Sequence, residues 1–364
     1  MKKIKILFCE KDFSGHRRTY LANLAKLEGF DTFVYAPENI GVDAEHFFSY
    51  VGPKTIKTLK EYLCWIREIR KIVVGKQINV VHILDGDSLM RFFGIGFQWL
   101  RAKKLVITYH HFFDGKLRRI SYRMMNAGRN TVCVVHTNSV RQQLCQMGVE
   151  NIEVCQYPAF DYECFAQRDS VRSREYFSLP SDKPVIGIVG GMTRYKNIIP
   201  FLNVMKKCKT SFHLLICGSE SDVRKEEIEA AVQPYAENVT MQIRHLSQEE
   251  YQLAIVASDI IYSLYGKEFD GASGPLTDGV CAGKMILSCD HGSLGEIVRE
   301  NGLGLTSDCD DEEDMLRRTE EALRVGRGFA YTGKASKYAE ELKPEVFADR
   351  YRTIYETLKA WKKN

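Results

Sequence analysis

The strongest constraint in this chain is alternation. Short apolar runs recur along it, each separated from the next by a helical pattern or a turn. In the first half they fall at 4–8, 33–36, 80–84, 105–108, 131–135 and 152–155. In the second half, strands are expected at 185–189, 213–217, 239–243, 259–264, 285–288 and 303–306. Continuous apolar runs mark strands covered on both faces, as in a parallel sheet flanked by helices. Helical spacing separates them at 16–27, along Ile56, Leu59, Leu63, Ile66, Ile69 and Val73, and at 139–147. Leu89 to Leu100 reads as a buried helix. The alternation breaks at Tyr157-Pro158 and a charged stretch from Asp161 to Ser181. At 364 residues the chain therefore predicts an α/β protein of two units, 1–165 and 166–344, followed by a final amphipathic helix.

Composition narrows the function. Net charge is +4, too small to imply nucleic acid. The cations are uneven, with Arg101, Lys103, Lys104, Lys116, Arg118, Arg119, Arg123 and Arg129 crowding one region. Such crowding suits a solvated face, an anionic membrane surface or an acidic acceptor. The 11 Cys include no C-x-x-C pair, so they read as small buried hydrophobes in a reducing cytosol rather than as zinc ligands. The N-terminal run is too short for a signal peptide, and no run reaches the roughly 20 apolar residues of a membrane span. A cytoplasmic location, with peripheral contact at the inner face of a membrane, is the expectation.

The ends of the strand-like runs carry the candidate chemistry, since ligands of open α/β sheets sit beyond the carboxyl ends of strands. Strand, loop and helix open the chain in the manner of a Rossmann-like unit. G-x-G-x-x-G is absent, so a nicotinamide or flavin cofactor has no support. Gly15, after Ser14, could let a ligand approach the backbone or could be a plain tight turn. Asp85-Gly86-Asp87 could hold a metal or cap the next helix. His110 stands at the end of the 105–108 run. After 259–264 comes a Gly-rich loop with Asp270, Gly271, Ser273 and Gly274, then a short helix opened by Pro275 and running through Leu276, Thr277 and Asp278. A helix start offers N–H groups and a positive dipole end to phosphate, while carboxylates accept from sugar hydroxyls. The pairing suits a nucleotide sugar, with surface or capping charges as the plain alternative.

In this order the motifs resemble retaining glycosyltransferases of the GT-B architecture, the group numbered family 4 and also called glycosyl transferases group 1. Val106 to His110 resembles the family's strand ending in a His that faces the donor sugar. Thr137, Ser139 and Arg141 resemble its S/T-x-S-x-R pattern, and Tyr157 to Asp161 a degraded P-N-G-V-D linker. Gly190 to Asn197 resembles the G-R-L-x-x-x-K-G loop, with Lys196 on the family Lys and Gly191 where the family Arg stands. Arg194 is the candidate replacement. Asp270 and Asp278 overlay E-x7-E with both Glu shortened, and Glu268 is an alternative for the first. Ala282 to Leu287 and Gly295 to Val298 look like the segments downstream.

The resemblance implies two Rossmann-like domains facing each other across a cleft, the first for acceptor and the second for donor. The final helix, 345–364, returns to the first. It implies transfer from a nucleoside-diphosphate sugar to a glycan or lipid-linked acceptor with retention, in surface polysaccharide or glycoconjugate synthesis. Lys196 and Arg194 would hold the diphosphate with the N–H groups at Ser273, Gly274, Leu276 and Thr277, replacing a divalent metal, so no metal or other cofactor is expected. Asp270 and Asp278 would grip the sugars, Gly271 keeps the family Gly, and His110 would position the sugar and support charge. The loop from Arg244 to Leu246 is the candidate nucleobase reader. A nucleotide-sugar epimerase and a non-catalytic nucleotide-sugar binder remain open alternatives.

Overall fold

A computed structural model describes residues 3–13, 17–101, 103–269 and 271–360. Gly15, Asp270 and Trp361 lie outside the described residues. Contacts divide the chain into Met1–Gln156 with Pro344–Asn364, and Tyr157–Lys343. The division falls at 156 rather than 165 because Ala159 and Phe165 are buried in the core of the second unit.

The first unit is built on a parallel sheet of β1 (Ile4–Cys9), β2 (Phe30–Ala36), β3 (Phe47–Ser49), β4 (Val80–Ile83), β5 (Lys104–Thr108), β6 (Thr131–Val135) and β7 (Ile152–Val154). The strand order is β3-β2-β1-β4-β5-β6-β7. Helices cover both faces, so Ile6, Leu7 and Phe8 of central β1 are wholly buried. Cys9 and Cys133 are buried too, as free thiols. The helix Leu59–Lys76 starts at a reciprocal cap between Thr58 and Glu61, which satisfies donors the helix itself leaves open.

Leu89 to Leu100 is not one helix. It forms a 3-10 turn, Asp87–Phe92, and a short helix, Phe97–Leu100. Phe93, Gly94 and Gly96 between them adopt positive φ. At Gly94 a Cβ would stand 3.0 Å from the Cα of Met125, so close backbone approach breaks the helix there. The neighbouring helix, Lys116–Met125, was not expected from the sequence.

The C-terminal helix, Pro344–Ala360, belongs to the first unit. Its stripe of Phe347, Tyr351, Ile354, Tyr355 and Leu358 is buried. Buried hydroxyls are costly unless bonded, and each here finds a partner. Tyr351 bonds Tyr20 and Thr108, and the Tyr355 hydroxyl lies 2.7 Å from Nδ1 of His82. His82 Nε2 meets Thr108 Oγ1 at 2.8 Å. Burial lowers the His82 pKa to about 3 and keeps the ring neutral, with one nitrogen to donate and one to accept.

The second unit repeats the plan with β8 (Val185–Val189), β9 (His213–Gly218), β10 (Val239–Ile243), β11 (Ile260–Ser263), β12 (Met285–Cys289) and β13 (Gly304–Ser307). Its order is β10-β9-β8-β11-β12-β13, all parallel. In each sheet the winding reverses beside the first strand, between β1 and β4 and between β8 and β11. Loops leaving those strands diverge and open a crevice at the carboxyl ends.

Candidate functional site

The crevice of the second unit is built from main chain that only glycine allows. Gly190, after β8, has φ +98°, and Gly218, ending β9, has φ +146°. A Cβ on Gly218 would lie 1.9 Å from the Gly190 carbonyl oxygen, so the two turns cross backbone against backbone. Lys196 closes the loop that Gly190 starts. Its side chain runs back beneath that loop, 7% exposed, and Nζ donates to the Val189 carbonyl at 3.1 Å. A Cβ built on Gly190 would stand 3.2 Å from this Nζ and 3.7 Å from Cγ of Pro275. The ammonium, the glycine turn and the first turn of the helix Gly274–Cys281 therefore converge.

Neighbouring strand ends hold the lysine loop in place. Tyr262 O–H donates to the Lys196 carbonyl at 2.6 Å, Gly266 N–H to the Tyr195 carbonyl at 2.8 Å, and Asn197 Nδ2 to the Cys309 carbonyl at 3.2 Å. Among the described residues no carboxylate pairs with Lys196. Burial lowers its pKa to about 8. A buried cation without a counter-ion is costly, and a bound anion would relieve that cost.

The helix start supplies less than its sequence suggests. Ser273 caps it, its Oγ accepting from Leu276 N–H at 3.3 Å while its carbonyl accepts from Thr277 N–H at 3.0 Å. The Ser273 hydroxyl is itself fixed by Tyr265 at 3.0 Å. Leu276 and Thr277 are therefore corrected from ligand donors to internal ones, and Pro275 has no N–H. The amides left at this terminus are those of Ser273 and Gly274. Gly271 is buried just before them.

Asp278 lies one turn further along. Its Oδ2 accepts from Tyr251 O–H at 2.6 Å. Burial raises its pKa to about 7, opposed by that hydrogen bond. Arg194 is not brought to Lys196: its guanidinium grips Glu227 at 2.9 and 3.1 Å on an exposed surface. Glu268 is exposed, its carboxylate folded over Gly266. Leu246 is buried in the hydrophobic core, and Arg244 is bound by Glu250 at 2.6 Å.

The corresponding crevice of the first unit is crowded with paired charge. Lys11 meets Asp85 at 2.9 Å, with both nearly inaccessible, and Arg17 reaches Asp85 at 2.9 Å and Glu10 at 3.4 Å. Burial alone would raise the Asp85 pKa, but Lys11 and then Arg17 outweigh it and hold the group well below the usual carboxylate range. Asp87 accepts from the main-chain N–H groups of His110 at 2.8 Å and His111 at 3.2 Å. Asp85 and Asp87 thus serve internal bonds. Burial, then repulsion by Asp85, raises Asp87 to about 7.

His110 sits between Leu84, whose carbonyl is 2.9 Å from Nε2, and His136, whose Nε2 is 3.2 Å from Nδ1. Burial, then repulsion by His136, holds His110 well below its ordinary pKa. The expected charge support therefore meets a ring kept neutral.

Residues 170–341 match the family model of glycosyl transferases group 1. The chain has the GT-B fold, and its residues 170–341 carry a glycosyl transferases group 1 domain. No curated protein matches it. Among solved structures it resembles a glycosyltransferase from Rickettsia africae, 16% identical over all of both chains, with a TM-score of 0.78. It also resembles sucrose-phosphate synthase from Thermosynechococcus elongatus, 15% identical, covering 98% of this chain and all of that one, with a TM-score of 0.75. Anabaena HepE in complex with UDP is 14% identical, with the same coverage and a TM-score of 0.74. At such identities the likeness shows the fold.

Within the group 1 domain, the residues that sequence reasoning missed are partners rather than principals. Tyr251 occupies one oxygen of Asp278, Tyr265 orients the capping serine, and Gly218 lets the two turns cross. Tyr251 lies inside the helix Gln248–Ala257, where a tyrosine reads as one more residue of an apolar stripe. Gly218, a glycine at the carboxyl end of a strand beside Gly190, was the one legible signal.

Proposed function

We propose that this glycosyltransferase takes its sugar from a nucleoside diphosphate sugar held by the second unit. The diphosphate lies against Lys196 and the Ser273 and Gly274 amides, and Asp278 accepts from hydroxyls of the donor. The single observation carrying this reading is the buried Lys196 ammonium, without a carboxylate partner among the described residues, meeting the helix start at Gly190. It is supported by the matched domain and by a solved relative of the same fold that carries UDP. The bond from the anomeric carbon to the diphosphate oxygen breaks, and negative charge grows on the leaving group. A fixed cation and N–H groups stabilise that charge as it forms, usually the largest contribution to such catalysis. The acceptor hydroxyl oxygen bonds to the anomeric carbon on the face the diphosphate leaves, its proton passes to the departing phosphate, and configuration is retained. The acceptor is a glycan or a lipid-linked glycan of a surface polysaccharide or glycoconjugate. No divalent metal is invoked, because the lysine and the helix start supply the positive charge.

The test is incubation of purified protein with a panel of labelled nucleotide sugars, with and without acceptors, in the presence of EDTA. The reading expects donor-dependent product whose anomeric configuration matches the donor. A new sugar isomer formed from donor alone would make the protein an epimerase. Donor binding without hydrolysis or transfer to any acceptor would make it a binder.

A further inference from the structure

The carboxyl ends of β12 and β13 bring two thiols together beside the lysine loop. Cys289 ends β12 and stands opposite Ser307 of β13 in the parallel register. Cys309 lies two residues beyond Ser307, in the turn before the helix Glu312–Val325. That turn folds back on the strand ends. The Cys309 thiol is 3.8 Å from the Ser307 carbonyl oxygen, which also accepts from the Asp290 N–H at 2.9 Å. Both cysteines are free, and they are 1% and 5% exposed.

A buried thiol is ordinarily inert, because burial disfavours the thiolate. Cys155 is of that kind, its thiol pushed up by burial. Cys289 differs. A hydrogen bond from the Cys309 thiol, aided by nearby His291, outweighs burial and lowers the Cys289 pKa to about 6. The same contact, together with burial, pushes the Cys309 thiol up. One member is thus a thiolate and the other keeps its proton, which suits an attacking and a resolving cysteine. Among the described residues no three side chains gather that could hold a metal, so the pairing is not part of a metal centre.

The pair connects to the lysine loop through main chain. Asn197, directly after Lys196, donates from Nδ2 to the Cys309 carbonyl at 3.2 Å. Its φ is +53°, a left-handed conformation that costs an L-residue energy and is held by such local bonds. Any shift of the Cys309 main chain therefore reaches the residue that ends the lysine loop.

We propose that Cys289 and Cys309 are an oxidation site for a small peroxide, and that the disulfide they form releases the Asn197 anchor of the lysine loop. The Cys289 thiolate attacks one peroxide oxygen. The O–O bond breaks, an S–O bond forms, and hydroxide leaves and takes up a proton as water. The Cys309 sulfur then attacks the sulfenic sulfur. The S–S bond forms, the S–O bond breaks, and a second water leaves with the Cys309 proton. The two sulfurs give up two electrons in all and the peroxide gains them. Burial of both thiols favours a small peroxide over bulky disulfide reagents. Bond formation draws the sulfurs closer than a thiol contact allows, so the turn carrying the Cys309 carbonyl moves. Neither the oxidation nor its effect on the loop depends on the donor reading.

The experiment treats the full chain with hydrogen peroxide, alkylates the remaining thiols and maps the peptides by mass spectrometry, before and after dithiothreitol. Hydrogen exchange of residues 193–197 is followed on the same samples, and C289S and C309S are run in parallel with Tm as the check on folding. A peptide pair joined through Cys289 and Cys309 is expected, and it should disappear on reduction. Exchange at 193–197 should be roughly fivefold faster in the oxidised protein, as one lost hydrogen bond implies, and should recover with dithiothreitol. In C309S, Cys289 should stop at a sulfenic acid that dimedone traps, with exchange at 193–197 unchanged by peroxide. Mapping of the parent needs no substitution, so it decides the matter even where a variant fails to fold. Both thiols still open to alkylation, after peroxide has oxidised the exposed Cys64, Cys145 and Cys164, would overturn the site. A disulfide joining either one to a different cysteine would do the same. A Cys289–Cys309 disulfide that leaves exchange at 193–197 unchanged would overturn the link to the lysine loop.

Discussion

The two units share one sheet plan and treat charge at the matching crevice in opposite ways. Beside β1 and β4, Lys11, Arg17, Glu10 and Asp85 neutralise one another in a closed set of contacts. Beside β8 and β11, Lys196 is also buried, and its Nζ donates to the Val189 carbonyl with no carboxylate partner among the described residues. Paired buried charges hold a loop in shape. One without a carboxylate partner, next to a helix start, suits a bound anion. The contrast teaches that burial of a lysine says little until its counter-ion is named.

The largest effect that could break this contrast comes from removing the unpaired cation. Lys196→Ala should lower kcat by about 100-fold to 1,000-fold, the usual result of deleting one donor aimed at a growing negative charge, and should leave Tm unchanged or higher. Lys11→Met should do the reverse. It strips Asp85 of its closest partner, and breaking a buried pair costs about 3 to 5 kcal/mol, the lower end applying because Arg17 remains. Chemical denaturation would register the loss as a lower midpoint. A Lys196→Ala variant that unfolds early, or a Lys11→Met variant as stable as the parent, would erase the distinction.

A smaller effect follows from protonation. Burial lowers the Lys196 pKa from 10.5 to about 8, so the side chain loses its positive charge as pH rises through about 8, and donor affinity should fall there. The bound diphosphate favours the charged form, so binding above that pH should take up a proton, measurable by calorimetry in buffers of different ionisation heat. The smallest effect is expected at Arg194→Ala. Its guanidinium is tied to Glu227 on the surface, and exposed pairs are worth about 1 kcal/mol or less, so kcat/KM should change by no more than about fivefold. A loss as large as that of Lys196→Ala would show that Arg194 swings onto the diphosphate.

Much of this architecture is legible in the letters. Strands buried on both faces announce themselves, and the runs at 131–135 and 185–189 coincide with β6 and β8. β3 has three residues at a sheet edge and no pattern to read. Leu89–Leu100 looked helical because its apolar content is right, while the close approach of Gly94 to Met125 that breaks it is a tertiary fact. The helix Lys116–Met125 hides for another reason, since its apolar stripe points away from the core. At the site, Lys196 was found through the resemblance of its loop to the family's lysine loop. The competition for its neighbours was not, because which amide Ser273 captures and which oxygen Tyr251 occupies depend on side-chain distances that sequence spacing does not encode.

The central claim is that Lys196 waits for a diphosphate. Isothermal titration of the purified chain with nucleoside diphosphates, run in parallel on Lys196→Ala, tests it most directly. At least one nucleoside diphosphate should bind the parent, with affinity at least about tenfold weaker in the folded variant, a loss of about 1.4 kcal/mol or more. Equal affinity in the two proteins would contradict the account.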